Sequence, residues 1–364
     1  MAARPTVVVA MSGGVDSSVA AALLVEQGYD VIGMMLRLWS EPGTESANRC
    51  CTPDAMALAR RMAAKLGIPF YALDVQERFH EVVVQGCLDG YARGITPNPC
   101  VLCNRQIRWG FLLERARAFG AAFLATGHYA RVQHSETGSP ARLLRGRDLA
   151  KDQSYVLSVL NQDQLGASLF PVGEYTKPEV RELARRFDLP VASRADSQDL
   201  CFLASSDMRS FLARHAPQTV RPGPIVTTDG QVIGEHQGLA FFTIGQRKGL
   251  GIAAPEPLYV LRKELAENRL VVGPLAELGQ RALTAGQINW IAGQPPEGPI
   301  RAQVKIRYKA VEAWASITAT RPDCASVVFD EPLRDITPGQ RAVFYQGEVC
   351  LGGGTIQGEA GEKP

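Results

Sequence analysis

Residues 6–11 (TVVVAM) form a β-branched run, Ser12-Gly13-Gly14 turns the chain, and an apolar stretch at 19–25 follows, closed by Gly28 where a helix end favours a left-handed residue. A strand that passes through a glycine turn into a helix starts a parallel α/β layer, because parallel strands need a helical crossover packed on the sheet. The pattern recurs. Residues 31–38 read as the next strand, 53–66 as a helix opened by proline and stopped by Gly67, and 70–73 and 123–125 as further short strands, with a helix at 107–119 before the last. This predicts an α/β fold with a doubly wound parallel sheet, whose ligands bind beyond the carboxyl ends of its strands.

Thr176-Lys177-Pro178-Glu179 is a capping-box pattern that starts one more helix, running to about residue 187. The pattern then changes. Thr228-Asp229-Gly230-Gln231 signals a hairpin, and 259–261 with 270–272 flank another turn. Short strand candidates follow at 287–291, 300–308, 313–319, 326–329 and 341–345, the spacing of a small antiparallel barrel. The reading is therefore three domains: an α/β domain at 1–205, a small mostly β domain at 206–280 and a C-terminal antiparallel β-barrel at 281–364.

With 46% apolar and 21% charged residues, the 364-residue chain is neither disordered nor collagen-like. Its net charge of +2 gives no global attraction to nucleic acid or membrane, so any polyanion site is local. No stretch reaches the ~18 apolar residues of a membrane span, and the first residues lack a signal peptide's apolar run. The expectation is a cytoplasmic protein, in which the eight cysteines stay reduced rather than forming a disulfide framework.

Between the first strand and helix, Ser12-Gly13-Gly14-Val15-Asp16-Ser17-Ser18 offers backbone N–H groups, serine hydroxyls and a positive helix end to phosphate. It lacks the lysine of a Walker loop and the spacing of the dinucleotide GxGxxG. A lone Gly-Gly pair would mean only a strand–helix joint. Asp16, however, would repel phosphate unless it meets a metal or orients a group, which fits a magnesium-bound triphosphate. The seven residues resemble the PP-loop, SGGxDS, of the ATP pyrophosphatase superfamily. That resemblance implies ATP and Mg2+ at Ala10, Met11, Ser12, Gly13, Gly14, Val15, Asp16 and Ser17, with adenine near Met35 and the Thr126-Gly127-His128 loop.

Cys100 and Cys103 lie in Thr96-Pro97-Asn98-Pro99-Cys100-Val101-Leu102-Cys103-Asn104, a proline-rich turn before a helix, where the helix end is expected to lower a thiol's pKa. One CxxC cannot complete a zinc site. The next candidate is Cys201, in Asp196-Ser197-Gln198-Asp199-Leu200-Cys201-Phe202. Cys87, Cys324 and Cys350 read as buried small hydrophobes, and Cys50 and Cys51 stay unassigned. Two separated cysteines in a domain with an ATP loop fit sulfur transfer, since persulfide chemistry needs one thiol to carry sulfur and another to resolve the bond.

The PP-loop, TPNPxxxCN, Lys151-Asp152-Gln153-Ser154-Tyr155, DSxxxCF, Thr243-Ile244-Gly245-Gln246-Arg247-Lys248-Gly249-Leu250-Gly251 and Cys350-Leu351-Gly352-Gly353-Gly354 occur in that order. Together they resemble the bacterial tRNA-specific 2-thiouridylases over nearly the whole chain. The resemblance implies adenylation of the 2-oxygen of the anticodon wobble uridine, then replacement of that oxygen by persulfide sulfur. It gives Cys103 the part of nucleophile and Cys201 that of persulfide carrier, and it implies a disulfide bond. It places the target base at Asn98, Pro99 and Cys100, and tRNA contacts at His128, Lys151, Asp152, Gln153, Arg307, Tyr308 and Gln340. A cysteine desulfurase or sulfur-relay protein is the implied partner. Cys100 stands where the best-known members carry aspartate, so that Cys100, Cys103 and Cys201 are also candidate ligands of an iron-sulfur cluster, a rival to the persulfide route.

Arg301, Lys305, Arg307 and Lys309 fall on alternate positions of the 300–308 strand candidate, opposite Ala302, Val304, Ile306 and Tyr308, which predicts a cationic stripe for RNA phosphates. Two other functions compete. A PP-loop synthetase that adenylates a small metabolite would turn over ATP without RNA, and a non-catalytic RNA-binding protein would form no AMP.

Overall fold

The computed structural model describes residues 4–44, 52–134, 138–192, 194, 200–203 and 207–358. Cys50, Cys51 and residues 196–199 of the DSxxxCF block lie outside them. The first seven strands are β1 (Thr6–Ala10), β2 (Asp30–Arg37), β3 (Phe70–Asp74), β4 (Phe123–Ala125), β5 (Ala130–Gln133), β6 (Arg142–Arg145) and β7 (Ser168–Leu169). Five of them make a parallel sheet in the order β3-β2-β1-β4-β7. Strand order reverses between β1 and β4, and the crevice beyond their carboxyl ends is where such sheets bind ligands.

Alternation along β1 sends Val7 and Val9 to one face and Val8 to the other. The first pair packs against helices Val15–Glu26, Pro53–Lys65 and Lys177–Arg186 through Val19, Leu23, Met62 and Val180. Val8 packs with Met34 and Leu124 against Trp109, Leu112 and Leu113. The sheet is doubly wound, as expected. The Lys177–Arg186 helix starts where the capping pattern placed it, with the Glu179 carboxylate accepting from Thr176 N at 2.6 Å and Thr176 Oγ1 at 2.8 Å.

The expected helix at 107–119 is longer. Helical backbone begins at Pro99–Leu102, widens into a π-helical stretch at Cys103–Leu112 and returns to α at Leu113–Ala118. Asn98 caps it, its Oδ1 accepting Val101 N at 3.3 Å, and Pro99 takes the first helical position, where a missing N–H costs nothing. The proline-rich turn is thus the start signal of the helix that carries both cysteines.

The middle unit comprises helix Met208–His215 and a four-stranded sheet, order β10-β11-β8-β9, from β8 (Gly223–Val226), β9 (Val232–His236), β10 (Tyr259–Glu264) and β11 (Arg269–Gly273). The C-terminal strands are β12 (Gln280–Trp290), β13 (Ile300–Lys305), β14 (Ala313–Arg321), β15 (Cys324–Leu333), β16 (Arg341–Gln346) and β17 (Val349–Ile356). They run β12-β15-β14-β13-β16-β17, and a β12–β17 pairing closes the antiparallel barrel around Ile317, Val327 and Phe344.

The barrel is welded to the α/β domain. The β5–β6 hairpin pairs with β17, with Leu143 opposite Cys350 and Leu144 opposite Val349. Along the seam Arg145 forks onto Glu312 with two 2.6 Å bonds, and Arg341 donates to Ser158 Oγ at 2.7 Å. No helix among the described residues is long and apolar enough to cross a membrane.

Candidate active site

Gly14 precedes the first helix in extended conformation, and the hydroxyls of Ser17 and Ser18 turn back to its carbonyl at 3.3 and 2.9 Å. Ser12 N in turn donates to Ser17 Oγ at 3.2 Å, so the loop at the β1–β4 switch point is folded on its own serines. Gly127 approaches from the end of β4. A Cβ there would stand 2.7 Å from Asp16 C and from Ser17 N, so only glycine lets the β4 loop close on the phosphate loop.

Asp16 Oδ1 accepts from Tyr129 Oη at 2.8 Å and Lys177 Nζ at 2.7 Å. Arg194 adds a second cation, donating to the Gly13 carbonyl at 2.7 Å. Sequence reasoning missed both cations. Lys177 did carry a signal: a lysine in the first turn of a helix opposes the helix dipole, and here its side chain is buried against the aspartate of the loop. Met35, on β2, is 1% exposed and its side chain packs in the core.

From the β4 loop a chain of hydrogen bonds reaches the helix that carries the cysteines. Arg108, on the π-helical stretch, donates to His128 Nε2 at 2.9 Å and to Asn104 Oδ1 at 3.1 Å. An arginine can only donate, so Nε2 accepts and the imidazole proton sits on Nδ1, 2.7 Å from Thr126 Oγ1. Burial, reinforced by the Arg108 charge, holds the His128 pKa well below its ordinary 6.5, and the ring is neutral. His128 is thus buried between Thr126 and Arg108 rather than presented on the surface.

The thiols differ from the sequence expectation. Burial raises the Cys103 pKa, with Arg108 opposing it, and desolvation and the neighbouring Cys103 push the Cys100 thiol up to about 11. Both thiols are thus raised rather than lowered, with desolvation the largest cause at each. Cys103 lies in an apolar cluster. That cluster contains Phe79, Cys87, Cys103, Ile107 and Phe202, and Cys201 packs against it, so the fold brings Cys103 and Cys201 to one apolar region from distant parts of the chain. Cys87, Cys324 and Cys350 are buried. Among the described residues no three His, Cys, Asp or Glu side chains are grouped to hold a metal ion, so Cys100, Cys103 and Cys201 do not form such a group.

The expected cationic stripe is only partly realised. Strand β13 ends at Lys305, and acids arrive from elsewhere in the barrel: Arg301 is paired with Asp330 and Arg307 with Asp335. Tyr308, expected inside, is 37% exposed. Its ring lies 6.3 Å from that of Tyr155 and within electrostatic reach of Lys151 and Cys100. Beside it a cleft of about 510 Å3 between the 243–247 turn and the barrel is lined by Arg247, Tyr259, Arg307, Arg334 and Asp335. Asp152 is buried, accepting from Gly146 N at 2.9 Å and Ser154 Oγ at 2.8 Å, and Gln153 Oε1 accepts from Tyr129 N at 3.0 Å. Gln340 Nε2 donates to the Thr96 carbonyl at 2.8 Å, which binds the barrel to the cysteine turn.

Comparison with known families agrees with this layout. Residues 5–205 match the tRNA methyl transferase HUP domain, 209–274 the tRNA methyl transferase PRC-barrel domain and 280–356 the aminomethyltransferase β-barrel domain. The chain is 47% identical over 354 residues to the tRNA-specific 2-thiouridylase MnmA of Moorella thermoacetica, covering 97% of this chain and 99% of that one. It is 48% identical over 356 residues to the protein of the same name from Heliobacterium modesticaldum, covering 97% and 92%. With the phosphate loop, the cysteine helix and the barrel in one continuous match, the chain belongs to the tRNA-specific 2-thiouridylase family.

Proposed function

We propose that the protein is an ATP-dependent tRNA-uridine 2-sulfurtransferase acting on the anticodon wobble uridine. The observation that carries this is the short path between two chemistries. Gly127 packs on Asp16 of the phosphate loop, while the next residue, His128, is bonded to the arginine that faces Cys100 and Cys103. ATP activation and sulfur transfer then act on one base without the intermediate leaving.

ATP would lie on residues 10–17, its phosphates on the loop amides and its charge met by Lys177 and by magnesium held at Asp16. The uridine 2-oxygen attacks the α-phosphorus and pyrophosphate leaves. The terminal sulfur of a Cys201 persulfide then attacks carbon 2 and expels AMP. The Cys103 thiolate attacks Sγ of Cys201, the S–S bond to the RNA breaks, and 2-thiouridine is released with a Cys103–Cys201 disulfide. An external dithiol takes up that oxidation, and a cysteine desulfurase or relay protein recharges Cys201. No step is routed through an iron-sulfur cluster. The raised Cys103 pKa suits a thiol kept protonated until the RNA arrives.

RNA would reach the site across Lys151, Lys305 and Tyr308, with Arg247, Arg307 and Arg334 lining the adjoining cleft. Asn98, Pro99 and Cys100 would meet the base, and the reaction is set in the cytoplasm. The test is separation of the half-reactions: Cys103→Ser and Cys201→Ser should each release pyrophosphate with tRNA yet form no thiouridine. Thiolation at wild-type rate by either variant contradicts the assignment. ATP turnover on a small molecule without RNA points to a metabolite synthetase instead.

A further inference from the structure

We propose that Gln340 is a positioning residue for the cysteine turn, and that barrel residues 338–341 set the geometry of residues 96–100 before any RNA is bound. The proposal rests on the functional reading only for the reaction that the turn serves.

The segment Thr96-Pro97-Asn98-Pro99 cannot satisfy its own backbone, since Pro97 and Pro99 have no N–H to offer the carbonyls around them. The barrel supplies what is missing. Thr96 N donates to the Pro338 carbonyl at 2.9 Å, while Gln340 Nε2 donates to the Thr96 carbonyl at 2.8 Å and the Pro97 carbonyl at 3.4 Å. Gln340 is itself fixed, because Ile356 N donates to its carbonyl at 2.8 Å and its own N–H goes to Thr337 O at 3.1 Å. At Gly339, φ is +89° and a Cβ would lie 3.0 Å from Thr96 N and O, so glycine is what allows the two chains to touch.

The neighbouring residue extends the hold. Tyr155 Oη donates to the Arg341 carbonyl at 2.8 Å and is also hydrogen-bonded by the Asn98 side chain, and Asn98 caps the helix that carries Cys100 and Cys103. A displacement of 338–341 therefore moves the cap and both thiols with it. The middle unit holds the chain just before the turn, with Lys263 Nζ donating to the Gly94 carbonyl at 3.1 Å. Thr96 Oγ1 is buried without a hydrogen-bond partner, the mark of a turn placed by its neighbours rather than relaxed around its own polar groups. Both amide donors of Gln340 point into this turn, which leaves them engaged before tRNA arrives.

The test uses Gln340→Met, which keeps chain length and removes the donors, and Gln340→Glu, which sets a carboxylate against two carbonyls. Three quantities are read on the full-length protein: kcat and KM for tRNA thiolation, and the rate of iodoacetamide alkylation at Cys100 and Cys103 without RNA. Gln340→Met should lower kcat about tenfold, the scale of one hydrogen bond with its acceptors left bare. KM should stay within twofold, and the alkylation rates should change at least threefold. Gln340→Glu should be no better than Gln340→Met. A tenfold rise in KM at unchanged kcat and alkylation would make Gln340 an RNA ligand and overturn the proposal, as would two variants identical to wild type. If the wild type thiolates no tRNA, the functional reading fails, and unchanged alkylation in both variants would overturn the positioning role separately.

Discussion

Arg145→Met should loosen the seam between the α/β domain and the barrel by about 3 kcal/mol. The Arg145 guanidinium makes two 2.6 Å bonds to Glu312, a third at 3.0 Å to the Gly347 carbonyl, and lies 3.7 Å from the centre of the Tyr345 ring. The two side chains are only 10% and 18% exposed, so removing the arginine strands a largely buried carboxylate. Breaking a buried pair from one side costs ~3–5 kcal/mol, and the partial exposure of Glu312 puts this case at the lower end. A chain of several units does not unfold in two states, so a denaturant curve would blur the effect. Amide exchange reads it locally, at Arg145 N, which donates to Glu348 O at 2.8 Å, and along the β6–β17 pairing. There the exchange rate should rise on the order of a hundredfold, at about 1.4 kcal/mol per tenfold. Arg145→Met with Glu312→Leu should recover most of that protection, since replacing a whole buried pair by apolar groups is near neutral. A change of threefold or less in the single variant would show that strand pairing alone holds the seam.

Asp16→Ala should cut pyrophosphate release about a hundredfold, the scale of one lost charge-stabilising group, while tRNA affinity measured by filter binding stays within twofold. His128 makes folding pH-dependent with a definite sign. Its folded pKa is depressed below 6.5, so the unfolded chain binds an extra proton as pH drops past that value, and stability present above it is lost. Melting temperature followed from pH 7.5 down to 5 should fall more steeply in wild type than in His128→Gln, and parallel curves would refute this. Lys305→Ala should reduce the slope of log affinity for tRNA against log salt by about one, and Arg307→Ala by less because Asp335 already neutralises it. Equal reductions would mean that the Arg307–Asp335 pair opens when RNA binds.

The strand–turn–helix opening was legible because β-branched and apolar runs are bounded by turn residues, from 6–11 through Ser12-Gly13-Gly14 to the stretch closed by Gly28. The barrel strands from β13 to β16 were legible for the same reason, but β17 was not. Its Gly352-Gly353-Gly354 core carries no strand propensity, and it is glycine because a Cβ at Gly352 would run into the Asn289 carbonyl where β12 and β17 close the barrel. The cationic stripe was overread because Asp330 and Asp335 come from other parts of the barrel, beyond the reach of local periodicity. Cys103 and Cys201 were singled out as candidates from their settings, whereas Arg108, Lys177 and Arg194 were not, since their contacts come from partners up to 181 positions away. The docking of β5–β6 on β17 is likewise a non-local pairing of two short strands that no local pattern announces.

The central claim is tested most directly by incubating the purified protein with unmodified tRNA, ATP labelled at the α-phosphate and a persulfide donor, then digesting the RNA and separating its nucleosides by mass spectrometry. The account predicts 2-thiouridine at the wobble position, formed only when ATP is present and matched one for one by labelled AMP. ATP consumed without any gain of sulfur in the tRNA, or thiolation that proceeds without ATP, would contradict it.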